Sequence, residues 1–168
     1  TFSPVAVLDG GLPKWRAEER DITDALPTPE AANFSASLNE TLLRLASQVN
    51  DNVSAGVEQV VDARGAGRYN GTEPESRPGL RSGHIPNSLN VPYAGIVRDG
   101  TMINATALET AFVTAGVDLT KPITTSCGSG ITACILALGL YLNGRDDLAI
   151  YDGSWTEWGG RQDLPIEK

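Results

Sequence analysis

The chain has 168 residues, 40% of them hydrophobic and 20% charged, with a formal charge of −8 and two cysteines. These proportions suit one well-buried core in an ordinary globular domain. The acidic balance argues against nucleic acid or an anionic membrane as partner, because both need a cationic face. No apolar run reaches the roughly 18 residues of a membrane span, and the start lacks the basic and apolar regions of a signal peptide. Two cysteines without repeated spacing fit a reducing compartment and cannot supply a four-ligand zinc site. Five Asn-x-Ser/Thr triplets, at Asn33, Asn39, Asn52, Asn70 and Asn104, matter only in a secreted chain and are read as chance.

Near the start, Val5-Ala-Val-Leu-Asp9-Gly10-Gly-Leu-Pro-Lys-Trp15 resembles Leu148-Ala-Ile-Tyr-Asp152-Gly153-Ser-Trp-Thr-Glu-Trp158 position by position over eleven residues. Each copy reads as an apolar strand, an Asp-Gly turn and a helical start, the closing unit of a domain. Only the second copy has a domain's length of sequence before it. The chain is therefore expected to begin inside the tail of a preceding domain. Residues 21–33 carry acidic residues, prolines and no hydrophobic periodicity, as a surface linker does. A second domain is expected to start near Phe34.

From there, Phe34-Ser-Ala-Ser-Leu38 alternates like an edge strand. Thr41–Val49 has helical spacing, with Asn39 or Thr41 as cap. Val57–Val61 reads as a strand ending at Asp62, Ser88–Pro92 as a short strand, and Ala107–Thr114 as a modest helix. Pro122–Ser126 is short and β-branched, and Thr132–Leu142 is long and continuously apolar: a strand, then a buried helix. Strands alternating with helices imply an α/β fold, a central parallel sheet with helices on both faces. Ligands of such sheets lie beyond the strands' carboxyl ends, where Asp62, Cys127 and Asp152 fall. Their loops are expected to converge.

Between that strand and helix lies Cys127-Gly128-Ser129-Gly130-Ile131-Thr132-Ala133. The glycines let successive N–H groups turn inward, and the helix N-terminus adds positive potential, so an anion is stabilised there. The anion can be the Cys127 sulfur itself, with a pKa below the free value of about 8.5. The alternative is a buried structural cysteine. Cys134, inside the apolar run, is expected to pack, with a resolving thiol as the other use. Arg64, Arg68, Arg77 and Arg81 share a charged loop with Glu73 and Glu75, where solvated ion pairs are the plain interpretation. His84 suits a loop buttress better than a proton carrier. Asp62 is expected to cap exposed N–H groups at its strand end, or to shape the cysteine loop. Trp155 and Trp158 either wall a pocket or fill core.

Taken together, Val61-Asp-Ala-Arg64, Gly83-His-Ile-Pro86 with Asn90-Val-Pro92, the cysteine loop and Tyr151-Asp-Gly-Ser-Trp-x-Glu-Trp158 resemble the rhodanese domain of sulfurtransferases, over essentially the whole chain. More narrowly, Cys127-Gly-Ser-Gly-Ile-Thr132 and Gly67-Arg-Tyr-Asn-Gly-Thr-Glu-Pro-Glu-Ser-Arg77 look like the C-terminal catalytic domain of the thiosulfate/3-mercaptopyruvate sulfurtransferase family. The family's two tandem domains, only the second bearing the cysteine, agree with the end repeat. The resemblance implies a tail of the first domain plus linker over residues 1–33 and a catalytic rhodanese domain over residues 34–168.

It further implies sulfur transfer by double displacement, with Cys127 as the covalent carrier and Ser129 assisting proton transfer to the leaving enolate. A histidine and an aspartate that would relay that proton belong to the first domain. The persulfide would be held by the N–H groups of residues 128–132, including Gly128, Gly130 and Ile131, and by the Thr132 hydroxyl. Arg68 and Arg77 match the family's carboxylate-binding arginines, whose guanidinium groups suit forked recognition. Thiosulfate enzymes of the family carry basic residues in the cysteine loop; the neutral Gly-Ser-Gly here favours a monocarboxylate donor.

No metal or organic cofactor is implied. The expected partners are a small-molecule sulfur donor, a thiol acceptor such as thioredoxin or glutathione, or cyanide, and the preceding domain, in cytoplasm or mitochondrion. Among rivals, dual-specificity phosphatases and arsenate reductases need an arginine closing a Cys-x5-Arg loop, and Ala133 stands there with Cys134 beyond it. A rhodanese-like interaction module would typically have lost the cysteine. A cysteine hydrolase would have to use His84 as base.

Overall fold

In the computed structural model, which describes residues 5–31, 33 and 35–168, three runs of four residues form the middle of one sheet. They are β2 (Gln59–Asp62), β6 (Ile123–Ser126) and β7 (Leu148–Tyr151). Two-residue strands β1 (Leu43–Arg44) and β3 (Leu89–Asn90) close the edges, giving the order β1-β7-β6-β2-β3. Every pairing in this sheet is parallel, with Asp62 opposite Ser126 and Thr125 opposite Ile150. The carboxyl ends of β2 and β6 therefore lie level. A separate antiparallel hairpin joins β4 (Val97–Arg98) to β5 (Thr101–Met102) through Asp99-Gly100. Both turn residues have positive φ, 51° and 79°, the mirror-image turn that Asp-Gly favours.

Helices cover both faces. Against one lie α4 (Ala105–Thr114) and α5 (Ile131–Leu142), whose Leu108, Phe112, Ala133, Leu136 and Leu140 join Val61 and Ile123 in a buried cluster. Against the other lie α2 (Ala46–Ala55) and α6 (Ser154–Trp158), whose Val49, Trp155 and Trp158 pack with Val60, Ile85 and Tyr151. Both tryptophans thus fill core. Trp155 donates its indole N–H to the Arg81 carbonyl at 2.9 Å and Trp158 donates to that of Pro165 at 2.7 Å. Short α3 (Ala66–Tyr69) follows β2, and α1 (Gly11–Ala17) stands before the domain. No helix among the described residues is long and apolar enough to cross a membrane.

Three expectations are corrected here. The helix expected over Thr41–Val49 begins later: Asn39 caps a 3₁₀ turn at Glu40–Leu42 through the Thr41 N–H, β1 intervenes, and α2 starts at Ala46. The pairing of Leu43 and Arg44 with Ile150 and Tyr151 extends the sheet, and that long-range gain overrides the local helical spacing. Residues 35–38 form no edge strand, and Phe34 lies outside the described residues. In the first copy of the repeat the helix forms as α1, but Val5–Leu8 is an exposed, unpaired segment. The Asp9 carboxylate instead accepts the Met102 N–H at 2.9 Å, anchoring this segment to the β4–β5 hairpin.

Leu136 is wholly buried between the sheet and α4. Leu136→Ala is expected to destabilise the chain by about 2–5 kcal/mol through the lost methyl groups and the cavity left behind, read as a lower urea midpoint at unchanged slope.

Candidate functional site

β6 delivers Cys127 to the carboxyl edge of the sheet, and the chain then turns through Gly128-Ser129-Gly130 into α5. Gly130 has φ 83°, and a Cβ there would stand 2.9 Å from the Asp152 carbonyl oxygen. Only glycine meets both conditions without strain. No side chain caps α5, so its first N–H groups are free to face the loop. They face the sulfur. The Ser129 N–H donates to Cys127 Sγ at 3.4 Å, joined by the Thr132 hydroxyl and the N–H groups of Thr132 and Ala133. Burial pushes the Cys127 thiol up, but these four donors outweigh it and hold the pKa below its ordinary value.

The cup differs from the expected run of N–H groups over residues 128–132. The Gly130 N–H turns away and donates at 3.1 Å to Ser154 Oγ, as does the Cys127 N–H at 3.1 Å. Ser154, φ 48°, is wholly buried, and its hydroxyl donates to the Tyr151 carbonyl at 2.8 Å. Ala133, beyond the expected run, supplies a donor instead. The α6 turn fixes the loop further: the Trp155 N–H donates to the Cys127 carbonyl and the Thr156 N–H to that of Gly128, each at 2.9 Å. The loops after β6 and β7 thus converge as expected. Nothing in the sequence pattern marks Ser154 and Thr156 as loop supports, although both lie within the Asp-Gly-Ser-Trp-x-Glu-Trp run.

A cleft of about 300 Å³ opens over Cys127, lined by Gly128, Ser129, Ile131, Thr132, Arg64, Arg68, Glu75, Arg77, Tyr93 and Thr156, among others. All the candidate site residues are brought together there except Gly130, which faces Asp152. Only 1% of Cys127 is exposed, so attack requires the reacting atom to enter the cleft. A larger groove of about 1040 Å³ between Pro92 and α4 holds Arg98 as its one charged side chain and no cysteine.

The charged loop is not a set of solvated ion pairs. Arg64, its side chain 1% exposed, is gripped by Asp62 at 2.7 Å, by Glu75 at 2.7 Å and by the Gly83 carbonyl at 2.8 Å. Its guanidinium lies 4.4 Å above the Trp155 ring. Asp62 also accepts the Arg64 N–H at 2.8 Å, so it caps the strand end and holds the side chain as well. Glu75, 2% exposed, carries no sequence signal that sets it apart from Glu73; its other oxygen takes Nη2 of Arg68 at 2.5 Å and Nε at 3.1 Å. Arg68 is thereby laid over Gly128, 3.0 Å from where a Cβ would sit. Its Nε–Nη2 edge is occupied by Glu75 rather than open to a forked ligand. Arg77 reaches the same loop from an exposed turn and donates to the Thr156 hydroxyl.

Two residues fall elsewhere. His84 stacks on Tyr69 with centroids 3.9 Å apart and places Nδ1 2.9 Å from the Tyr69 carbonyl, the buttress expected of it. Cys134 is exposed rather than packed, with its thiol donating to the Gly130 carbonyl at 3.4 Å. The helical phase sends Ala133 and Ala137 into the core and leaves position 134 outward.

A buried thiol with a lowered pKa, facing a cleft that holds arginines and no histidine, can act as a nucleophile without a general base. Its alkylation by iodoacetamide is expected to inflect below the free-thiol pH of about 8.5. In Thr132→Val the inflection is expected to move up, because a donor to the thiolate is lost.

The rhodanese-like domain family matches residues 45–161. The chain is 40% identical to the 3-mercaptopyruvate sulfurtransferase of Homo sapiens over 155 residues, and 45% identical to the thiosulfate sulfurtransferase of Bos taurus over 156 residues. Each alignment covers 92% of this chain and 52% of the relative, so the chain spans about half the length of these relatives. The solved structure of the 3-mercaptopyruvate sulfotransferase SseA from Escherichia coli superposes with a TM-score of 0.78 at 33% identity, covering 91% of this chain and 57% of that one. With the parallel sheet and the cysteine loop already in view, these matches show that the chain belongs to the rhodanese-like domain family.

Proposed function

We propose that this chain is the catalytic rhodanese domain, over residues 34–168, of a sulfurtransferase that moves a sulfane sulfur from 3-mercaptopyruvate to a thiol or to cyanide. Residues 1–33 are the tail of a preceding rhodanese-like domain and its linker. The observation that carries this reading is the Cys127 thiol in a cup of hydrogen-bond donors, beneath a cleft that Arg68 and Arg77 also line.

In the first half-reaction the Cys127 thiolate attacks the donor's sulfur, an S–S bond forms, and the carbon–sulfur bond breaks. Its electron pair leaves as the enolate of pyruvate. The proton of the donor's thiol passes to that carbon, with Ser129 assisting, leaving pyruvate and an anionic persulfide. The donors that hold the thiolate, from Ser129, Thr132 and Ala133, then stabilise the persulfide, since charge placed in a preorganised set of N–H groups needs little reorganisation. In the second half-reaction a thiol acceptor attacks the outer sulfur and the Cys127 thiolate leaves. The acceptor departs as its persulfide, keeping its proton. Arg77 and the remaining face of Arg68 hold the donor's carboxylate. The working compartment is cytoplasm or mitochondrion, and thioredoxin, glutathione and cyanide are the acceptors to compare.

Thiosulfate is the second donor to consider, favoured by the 45% identity to a thiosulfate sulfurtransferase. The loop speaks for mercaptopyruvate, because Gly128 and Ser129 add no cation to meet a dianion. Intact-mass measurement after incubation with each donor decides between them. A gain of one sulfur from mercaptopyruvate, absent in Cys127→Ser, is the expected result. Gain from thiosulfate alone would overturn the donor, and gain from neither would overturn the reading for this chain. Arg77→Met is expected to raise KM for mercaptopyruvate about tenfold or more, a charge-assisted contact being lost.

A further inference from the structure

Thr156 occupies the position that the Tyr151-Asp-Gly-Ser-Trp-x-Glu-Trp158 pattern leaves open. Its side chain nevertheless stands between the two halves of the site. The Thr156 hydroxyl donates its single proton to the Gly128 carbonyl at 2.6 Å, and its backbone N–H donates to the same oxygen at 2.9 Å. With the proton so engaged, its lone pairs face outward, and Nη1 of Arg77 donates to them. Arg77 comes from the irregular stretch between α3 and β3, and both the residue and its neighbours Ser76 and Pro78 are exposed. Arg64 and Arg68, by contrast, are tied to buried carboxylates.

We propose that Thr156 is a positioning residue that holds the Arg77 guanidinium at the cysteine loop, so that an anionic group entering the cleft meets a fixed cation beside Cys127. The proposal rests on the reading of Arg77 as an anion-binding residue and goes beyond it. A long, exposed arginine loses considerable rotamer freedom when held in one pose. An acceptor already fixed by the cysteine loop keeps it there, and a carboxylate then binds with less ordering left to do. Serine at this position can make both bonds, whereas valine, of nearly the same shape, can make neither.

The test needs no sulfur donor. Iodoacetate and iodoacetamide alkylate the same thiolate with loss of iodide and differ in one carboxylate. The ratio of their rates at Cys127, followed by peptide mass so that the exposed Cys134 does not contribute, therefore reports the cation held over the sulfur. The other charged groups around the thiol, Arg64, Arg68 and Glu75 in the cleft and Asp152 beside Gly130, are common to all variants. Thr156→Val is expected to lower the ratio about threefold or more, the scale of ordering one long side chain, with the iodoacetamide profile against pH unchanged because the backbone N–H of residue 156 still holds the Gly128 carbonyl. Thr156→Ser is expected to restore it. Arg77→Met is expected to lower it as far, with Thr156→Val adding nothing in the double variant.

An unchanged ratio in Thr156→Val, a Thr156→Ser as impaired as the valine variant, or full additivity with Arg77→Met would each overturn the proposal. Should Thr156→Val instead disturb the loop itself, the iodoacetamide profile would shift, and that too would overturn it. Failure of the wild-type chain to take sulfur from either donor would overturn the function proposed above, while the alkylation ratio would still decide the role of Thr156.

Discussion

Arg64 is a guanidinium without access to water, and the geometry of the site follows from how it is neutralised. A buried cation is tolerated only where opposite charge and hydrogen bonds replace hydration. Here Asp62 supplies one carboxylate from the end of β2, Glu75 a second from the loop beyond α3, Gly83 a carbonyl, and Trp155 an aromatic face. These contacts bring together a strand end, two stretches of loop and the first turn of α6. Glu75 is left with an oxygen for Arg68, which is how a half-exposed arginine is laid over the cysteine loop. The ion pairs thus act less as a source of stability than as a means of fixing register between segments far apart in the chain.

The cysteine loop is held from the opposite side by backbone groups of α6 and by two hydroxyls. Ser154 accepts the N–H groups of Cys127 and Gly130, and Thr156 donates to the Gly128 carbonyl. This division of labour explains how one short loop serves two purposes. N–H groups that would otherwise compete for the sulfur are satisfied by Ser154, while those of Ser129, Thr132 and Ala133 remain for the anion. An unsatisfied buried N–H would carry a substantial penalty, which Ser154 removes for Cys127 and Gly130.

On the proposed function, activation of the Cys127 thiol follows from this arrangement without a histidine beside it in the cleft. The thiol pKa is lowered by fixed donors and a helix start, so the nucleophile is prepared before any donor arrives. Cations beside it are tied by different partners: Arg64 between two carboxylates, Arg68 along one edge by Glu75, and Arg77, from an exposed stretch, by the Thr156 hydroxyl. A small anion can then be drawn into a cleft on a protein whose overall charge is −8, because potential inside the cleft is set locally.

Much of this was legible in the residues alone. The β-branched run before Cys127 and the apolar run after it fixed strand and helix, the alternation of elements fixed a parallel sheet, and Asp62, Cys127 and Asp152 marked strand ends whose loops do converge. Local pattern failed where distant pairing competed with it: Leu43 and Arg44 join β7 as an edge strand instead of opening a helix, and Val5–Leu8 stays unpaired although its apolar run resembles β7. It failed again over Cys134, where an uninterrupted apolar run conceals which helix face is outward. The place of the thiol was written in Cys127 and its glycines, at a strand end before a helix start, but which N–H groups meet the sulfur was not, because Ser154 takes that of Gly130. Nor was the fate of each arginine, because a guanidinium looks the same in sequence whether water, a carboxylate or a hydroxyl receives it. Glu75, Ser154 and Thr156 decide that across large distances in sequence, and only folding brings them within hydrogen-bond reach.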